Sequence, residues 1–155
     1  LKGERIRIHG DYHLGQVLVK DDDFYILDFE GEPESTIRDR KVKQPPLKDV
    51  AGLFRSFHYA IYSNIFNNQE NYPYSLDDLF VAGELLYRYI TGLFLGTYVT
   101  ETQNANLNLG YNQERIFILK YCLLEKAVYE LGYELNSRPQ WAVIPLKGIS
   151  NIINH

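Results

Sequence analysis

The pattern of hydrophobic and polar positions changes its period part-way along the 155-residue chain. Residues 5–8 alternate between arginine and isoleucine, which is typical of a strand, and this pattern stops at Gly10. Two further apolar runs, over residues 16–20 and 24–29, flank a cluster of aspartates and predict a β-hairpin. The first part of the chain is therefore expected to form strand, loop, strand, turn and strand.

After residues 30–35 the apolar positions recur every three or four residues, as they do in amphipathic helices. Ser75 precedes Asp77 and Asp78, an order that favours a helix N-terminus at Ser75. The expected fold class is α+β and predominantly helical. The pattern predicts three helices: Leu47 to about Asn67, Leu76 to about Val99, and about Gln113 to Leu131. The buried side of the third helix is expected to consist of Ile116, Leu119, Leu123, Ala127 and Leu131.

Composition and charge favour one domain with a sizeable core, since 45% of the residues are hydrophobic. The formal net charge of -4 argues against a nucleic-acid or anionic-membrane partner, because such surfaces are bound by clustered Lys and Arg. The longest apolar stretch is interrupted by Glu84, Arg88 and Gly92, so no membrane span is expected. Cys122 is the only cysteine and sits among apolar residues, which predicts a buried structural thiol in a reducing cytoplasm.

Candidate chemistry concentrates around two aspartates. Asp11 and Asp28 each lie at the end of a predicted strand, on either side of the hairpin, so the two carboxylates can face one cleft. For a single aspartate, capping of a turn is the simpler interpretation. Phosphoryl transfer, however, needs a carboxylate for the attacking hydroxyl and oxygen ligands for Mg2+. H-G-D at 9–11, Gln16 five residues later, and D-F-E-G at 28–31 follow the spacing of H-R-D-x-x-x-x-N and D-F-G in protein kinases.

A second interpretation takes H-G-D-Y-H at 9–13 as ligands of zinc or of a pair of metal ions. It requires further histidine ligands downstream, and only His58 and His155 remain. His58 falls within the apolar pattern of the first predicted helix, where a packed or surface histidine is expected. The kinase interpretation is therefore favoured over a metallohydrolase.

Five segments carry a resemblance to a known family: HGDYHLGQVL, FYILDFEGEP, PLKDVAGLFRSFHYA, EKAVYELGYEL and NSRPQWAVIPLKGI. They resemble the C-terminal lobe of bacterial maltokinases, which share the aminoglycoside-phosphotransferase branch of the kinase-like fold. The resemblance implies that residues 1–155 form the catalytic and substrate-binding lobe, with a short β-hairpin that carries the catalytic and metal-binding loops. It also implies cytoplasmic, ATP-dependent phosphorylation of maltose to maltose 1-phosphate, with Mg2+ as cofactor.

The same resemblance implies roles for single residues. Asp11 would be the catalytic base for the sugar hydroxyl, and Gln16 and Asp28 would be the ligands of Mg2+. His9 and His13 would support the catalytic loop. The residues implied in maltose binding are Lys126, Tyr129, Tyr133, Glu30, Asp49 and Arg55.

An alternative for the helix of Lys126 stays open. Lys126 can pair with Glu130 across one helical turn, with the neighbouring tyrosines as amphipathic packing. Arg138 and Trp141 are expected to fix the final segment to the core.

Two parts of a complete kinase are missing before Asp11: a G-x-G-x-x-G loop and a V-A-I-K-like strand whose lysine binds the ATP phosphates. The nucleotide-binding N-terminal lobe is therefore expected outside this chain, which begins at Leu1 rather than methionine, and the chain alone is expected to have little activity. By the resemblance, a fused or associated trehalose synthase is a further expected partner. Two alternative functions remain: a kinase-like enzyme for another small hydroxyl or amine substrate, and a catalytically silent sugar-binding domain.

Overall fold

A computed structural model describes residues 1–31 and 36–154. Residue 155 and residues 32–35, which include the end of the D-F-E-G-E-P motif, lie outside the described part. The described part is mostly helical with one small sheet, as expected. Its strands and α-helices are β1 (Val17–Lys20), β2 (Asp23–Ile26), α1 (Ile37–Lys41), α2 (Leu47–Asn68), α3 (Leu76–Asn104), α4 (Asn112–Ser137) and α5 (Val143–Asn154).

The β-hairpin forms as predicted, with Val17 of β1 opposite Ile26 of β2 in an antiparallel pair. Asp21 and Asp22 connect the strands with φ angles of 53° and 64°. A two-residue turn that matches the twist of a hairpin needs such left-handed values at both positions, and aspartate tolerates them better than most residues do. The aspartate cluster therefore marks the turn.

The predicted strand over residues 5–8 is wrong. In the described part of the chain this segment forms one isolated bridge, between Ile6 and Gln44. Two prolines follow Gln44, and proline has no N–H with which to continue a ladder. The alternating pattern was correct for an extended segment, but the segment has no strand beside it.

α2 is the centre of the described core. Its apolar positions Leu47, Val50 and Phe54 recur at three- and four-residue spacing, and each is at most 3% exposed. They form one cluster with Cys122 of α4, which confirms the expected buried thiol. The ring of Phe94 from α3 meets Phe54 edge-on, with centroids 5.8 Å apart. Packing against α3 and α4 therefore fixes the position of α2. The loop before β1 is hydrogen-bonded to this helix.

The three predicted long helices are present, and two of them are longer than predicted. α3 ends at Asn104 and α4 at Ser137, both beyond their predicted ends. Ser75 caps α3 as expected, because its hydroxyl oxygen accepts a hydrogen bond from the backbone N–H of Asp78 at 3.1 Å.

α5 was not predicted, since Pro145 and Gly148 both lower helix propensity. Pro145 lies in the first turn of α5, where a missing backbone N–H costs no helical hydrogen bond. Gly148 packs directly on the guanidinium of Arg55, and a Cβ at this position would clash with it. Tertiary packing thus decides the conformation of this segment.

The buried side of α4 agrees with the predicted one in part. Ala127 is fully buried as predicted, and Leu119 and Leu123 pack against the core cluster. Ile118 and Cys122, which were not in the predicted set, are at most 8% exposed, whereas Ile116 is 48% exposed. Ile116 and Leu119 border an open groove between α3 and α4, with two adjoining cavities of about 370 and 290 Å3. Periodicity identifies an apolar face but not how far a neighbouring element covers it, so the sequence could not show that Ile116 is left exposed.

α3 has the length and composition of a membrane span, contrary to the expectation that no segment would. Glu84 and Arg88 interrupt the apolar sequence but not the helix, and the most apolar 18 residues of α3 carry few charges and are mostly not buried. Val81, Leu85 and Tyr89 are 63–70% exposed. Length and composition are the whole of this evidence, and the Glu84 carboxylate is held in the fold by hydrogen bonds from α2 and α5.

Candidate active site

The segment that carries Asp11 is held against the first turn of α2. The carboxylate of Asp49 accepts two backbone hydrogen bonds, from the N–H of His9 at 2.7 Å and from the N–H of Gly10 at 2.9 Å. Gly10 has a φ of 89°, which glycine adopts without a steric penalty. The chain therefore turns at Gly10 and presents Asp11, whose side chain is 23% exposed.

His9 connects this turn to the segment after β2. Its ring is buried, and Nε2 lies 2.6 Å from the carbonyl oxygen of Leu27. Nδ1 accepts a hydrogen bond from the backbone N–H of Asp11 at 3.2 Å, so Nε2 is the nitrogen that carries the hydrogen and donates to Leu27. The ring also contacts Phe29, with centroids 4.9 Å apart. One imidazole thus joins the loop of Asp11 to the loop of Asp28.

Asp28 is in direct contact with Gln16. The side-chain nitrogen of Gln16 donates to Oδ2 of Asp28 at 3.1 Å, and the backbone N–H of Leu27 donates to the carbonyl oxygen of Gln16 at 2.8 Å. Asp28 has a φ of 59°, a left-handed value that is uncommon for residues other than glycine. Such conformations concentrate at functional sites, where surrounding contacts hold them.

The pair of Gln16 and Asp28 fits Mg2+. A carboxylate and an amide carbonyl are hard oxygen ligands, and Mg2+ in nucleotide sites is bound by one or two such groups together with phosphate oxygens and water. Asp28 is exposed, so a phosphate can reach it. Within residues 1–31 and 36–154 there is no group of three or more His, Cys, Asp or Glu placed to hold a metal ion. The donor set suits a metal that is shared with substrate phosphates.

His13 lies on the other side of Asp11. Its Nε2 is 3.6 Å from Oδ2 of Asp11, and its Nδ1 accepts a hydrogen bond from the N–H of Gly15 at 3.1 Å. His13 is also the N-cap of the 3-10 turn Leu14–Gln16. The imidazole thus borders the Asp11 carboxylate and shapes the turn that leads to Gln16.

Lys126 of α4 reaches the surface of α2 beneath residues 9–14, the loop that carries Asp11. A Cβ added to Gly52 would lie 3.7 Å from Nζ of Lys126 and 2.7 Å from the carbonyl oxygen of Tyr12. The lysine and the loop therefore meet the same small area of α2. The open alternative, a pair between Lys126 and Glu130, is not among the ion pairs of the described residues; Glu130 pairs instead with Arg55 at 2.8 Å.

Tyr129 and Tyr133 are 65% and 54% exposed on α4. Tyr133 follows Lys126 by seven residues, about 10 Å along the helix. Glu30 is exposed as well, two residues after Asp28. Aromatic faces and exposed polar groups are suitable for a sugar, and sugar contact by these residues stays a prediction.

Asp49 and Arg55 were also expected to contact the sugar, but in the structure both are engaged by other parts of the chain. Both oxygens of Asp49 accept backbone hydrogen bonds from the loop that carries Asp11. Arg55 is 2% exposed; its Nε donates to Glu130 at 2.9 Å, and its Nη1 lies 2.9 Å from Nδ1 of His58. A buried guanidinium between three helices cannot reach a substrate. We therefore correct the interpretation of Arg55 from a sugar ligand to a tie within the lobe, whereas sugar contact by Asp49 stays a prediction.

His58 belongs to a buried polar cluster that sequence reasoning missed. Its Nε2 lies 2.7 Å from Oε1 of Glu84, which also accepts a hydrogen bond from the hydroxyl of Tyr62 at 2.7 Å. Burial lowers the pKa of His58, although its hydrogen bond to Glu84 opposes this. Burial alone would raise the pKa of Glu84, but hydrogen bonds from His58, Tyr62 and Asn151 lower it to about 2. The signal in the sequence was a histidine and a glutamate on the apolar faces of two neighbouring helices.

Arg138 and Trp141 fix the chain after α4, as expected. The guanidinium of Arg138 donates two hydrogen bonds to the carboxylate of Glu134 and lies 4.2 Å from the centre of the Trp141 ring. Trp141 in turn contacts Phe66 of α2, with centroids 5.7 Å apart. These contacts join the ends of α2 and α4.

Comparison with known proteins gives glucosamine kinases among the relatives. No family model matches the chain. A glucosamine kinase of Streptacidiphilus jiangxiensis is 24% identical over 148 residues, which are 96% of this chain and 32% of that protein. A glucosamine kinase of Mycolicibacterium smegmatis is 28% identical over 138 residues, 88% of this chain and 32% of that protein.

Solved structures of glucosamine kinase share the fold. Crystal form B has a TM-score of 0.76 at 22% identity and covers 97% of this chain and 34% of its own. A structure in complex with glucosamine, ADP and inorganic phosphate has a TM-score of 0.74 at 23% identity, over 97% of this chain and 35% of its own. The expected kinase-like fold is therefore confirmed. The chain spans about a third of the length of these relatives, and none of them is a maltokinase.

Proposed function

We propose that the protein transfers a phosphoryl group from ATP to a sugar, and that these residues are its catalytic and metal-binding lobe. The observation that supports this is the link made by His9: its ring bonds the loop of Asp11 on one side and the segment before Asp28 on the other. Asp28 in turn contacts Gln16. The activity is proposed for the whole protein, because the relatives are about three times as long.

Asp11 is the proposed base. A partly exposed carboxylate on a fixed turn can accept the proton of a sugar hydroxyl while that oxygen attacks the terminal phosphorus of ATP. His9 fixes the backbone of Asp11 through its Nδ1, and His13 lies beside its carboxylate.

Gln16 and Asp28 would hold Mg2+, which when bound neutralises charge on the phosphates of ATP. Their mutual hydrogen bond brings the amide and the carboxylate to one place. Glutamine has one methylene more than the asparagine of protein kinases, and the short turn Leu14–Gln16 sets where this longer side chain starts.

Glucosamine is the first proposed substrate, because the relatives in two organisms are glucosamine kinases and one matching structure contains glucosamine, ADP and phosphate. Maltose is the second, supported by the resemblance of D-V-A-G at 49–52 and N-x-R-P-x-W at 136–141 to maltokinases. Lys126, Tyr129 and Tyr133 are the proposed sugar contacts for either substrate. We place the reaction in the cytoplasm, where ATP is available.

The test of catalysis is Asp11→Asn in the full-length protein. We expect kcat for sugar-dependent ADP release to fall by about 10²- to 10⁴-fold, since the base is lost while the shape of the side chain is kept. Asp22→Asn is the matched control. Asp22 is an exposed aspartate at the turn between β1 and β2, and asparagine tolerates its φ of 64°. An Asp11→Asn variant that is folded and fully active would overturn Asp11 as the base. It would favour the alternative that residues 1–155 are a silent sugar-binding domain and that catalysis takes place elsewhere in the full-length protein.

The substrate is tested by measuring kcat/KM for glucosamine, maltose, glucose and an aminoglycoside with Mg-ATP. A preference for glucosamine supports the first candidate, and a preference for maltose supports the second. If only the aminoglycoside is phosphorylated, the proposed phosphoryl transfer from ATP stands, but the proposed sugar substrate is wrong.

A further inference from the structure

α2 carries a polar stripe on the side that meets the catalytic loop. Asp49, Gly52 and Ser56 are three and four residues apart, and this spacing places them on one face of the helix. The rest of the first half of α2 is dominated by buried apolar side chains. A glycine in the interior of a helix costs about 0.5–1 kcal/mol relative to alanine. A contact that leaves no space for a Cβ would explain why glycine stands at position 52.

Each member of the stripe meets the backbone of the catalytic loop. Asp49 accepts from the N–H groups of residues 9 and 10, at 2.7 and 2.9 Å. At Gly52 the carbonyl oxygen of Tyr12 approaches so closely that a Cβ would lie 2.7 Å from it. The hydroxyl oxygen of Ser56 accepts from the N–H of residue 14 at 3.1 Å while its own hydrogen goes to the carbonyl of Leu53. The loop is held at three places, before and after Asp11.

We propose that Asp49, Gly52 and Ser56 are positioning residues that set the direction of the Asp11 carboxylate. None of the three needs to touch substrate. They act on the backbone at positions 9, 10, 12 and 14, and Asp11 lies in the middle of that span. This inference rests on the proposed function, for which Asp11 is the base.

The physical basis is the steep dependence of a transfer reaction on geometry. A displacement of about 1 Å of a reacting group can cost on the order of 100-fold in rate. A methyl group at Gly52 meets a backbone carbonyl, which cannot rotate away as a flexible side chain can, so the loop itself must shift. Loss of the Ser56 hydroxyl releases the N–H of Leu14, on the far side of Asp11.

The test compares Gly52→Ala and Ser56→Ala with the unmodified full-length protein. We expect kcat to fall by at least about 10-fold for each variant, with KM for the sugar nearly unchanged, because the base is misdirected while the sugar contacts stay in place. Ser56→Thr, which keeps the hydroxyl, should restore most of kcat. Asp49→Asn should also lower kcat, since an amide can accept at only one of its two heavy atoms.

The chain offers matched controls. Ser63 also lies on α2 and donates to the carbonyl three residues before it, but it does not contact the loop. Gly92 lies in the interior of α3 with open space where a Cβ would be. Ser63→Ala and Gly92→Ala should therefore keep kcat within about twofold, as is usual for substitutions that remove no important contact.

The outcomes separate this inference from the proposed function. If Asp11→Asn abolishes turnover while folded Gly52→Ala and Ser56→Ala keep the full kcat, the positioning role is wrong and the proposed function stands. If the unmodified protein phosphorylates no sugar, the proposed function fails. Amide hydrogen exchange of residues 9–14 then tests whether the polar stripe holds this loop. Faster exchange in Ser56→Ala and Asp49→Asn supports that role, and unchanged exchange overturns it.

Discussion

Cys122 shows how burial controls the reactivity of a single residue. The thiol is 8% exposed in the cluster around α2, and burial, with a smaller contribution from the charge of Glu125, raises its pKa to about 11. The thiolate is the reactive form, so a thiol with a pKa two units above its ordinary value of 9.0 reacts about 100-fold more slowly at neutral pH.

We expect a thiol reagent such as iodoacetamide to label the native protein at pH 8 at least about 100-fold more slowly than the protein in denaturant. Cys122 is the only cysteine of these 155 residues, so the signal is taken from the peptide that contains it. Mass spectrometry of samples taken over time measures both rates. Equal rates with and without denaturant would contradict the burial of this side chain.

Residues differ in how far the sequence reveals their role. Asp11 and Asp28 stand in motifs whose spacing points to one chemistry, so they could be nominated in advance. Arg55 lies in a motif too, but its charge is directed inward to Glu130, a residue 75 positions away. Spacing along the chain contains no information about such a partner, and the sugar contact expected of Arg55 was wrong for that reason.

At the scale of elements, the crossing of α5 over α2 depends on one glycine. Gly148 faces the guanidinium of Arg55, and a Cβ there would clash with it. Gly132 on α4 is exposed and has nothing within 4 Å of its missing Cβ. Both glycines lie inside helices, but only Gly148 is in close contact with a side chain of another helix.

We expect Gly148→Ala to lower the free energy of unfolding by about 1–3 kcal/mol, the usual cost of overpacking a well-filled contact. Gly132→Ala should instead raise it by up to about 1 kcal/mol, because alanine has the higher helix propensity and no neighbour is displaced. Urea unfolding followed by circular dichroism measures both. A Gly148→Ala variant as stable as Gly132→Ala would show that α5 does not press on Arg55.

Local signals were sufficient for some elements and not for others. The Asp21–Asp22 turn and the Ser75 cap are properties of a few consecutive residues, and both were predicted. The extended segment at residues 5–8 depended on a neighbouring strand, and α5 on a partner that fills the space beside Gly148. Elements whose stability comes from distant partners are those that pattern alone misassigned.

At the scale of the whole molecule, polar groups join four helices inside the lobe. Arg55 of α2 pairs with Glu130 of α4, and His58 of α2 contacts Glu84 of α3, which also accepts from Asn151 of α5. Removing one member of such a cluster leaves a buried polar partner without its bond, and this is costly. The cluster therefore couples the packing of all four helices to the protonation of its members.

Acid should weaken this cluster through two groups. The pKa of Glu84 is about 2 in the folded protein, below its ordinary value of 4.5, so its contribution to stability is present above pH 4.5 and is lost as the pH falls towards 2. The pKa of His58 is lowered by burial, so the unfolded chain takes up a proton first and stability declines below about pH 6.5. Glu130 opposes them, because burial raises its pKa despite Arg55.

Glu84→Gln isolates the largest of these effects. The amide keeps the size of the side chain but cannot titrate, so the variant should be less stable than the unmodified protein at pH 7 by about 1–2 kcal/mol, a figure reduced for the partial exposure of this carboxylate. The difference should shrink as the pH falls from 4.5 towards 2.5, because the unmodified protein loses the same contribution by protonation. Urea unfolding at pH 7, 4.5 and 2.5 measures it, with Glu70→Gln as the control at an exposed carboxyl. A difference that stays constant with pH would mean that the Glu84 carboxylate is not charged in the folded cluster, and that α3 is joined to α2 and α5 there by neutral hydrogen bonds.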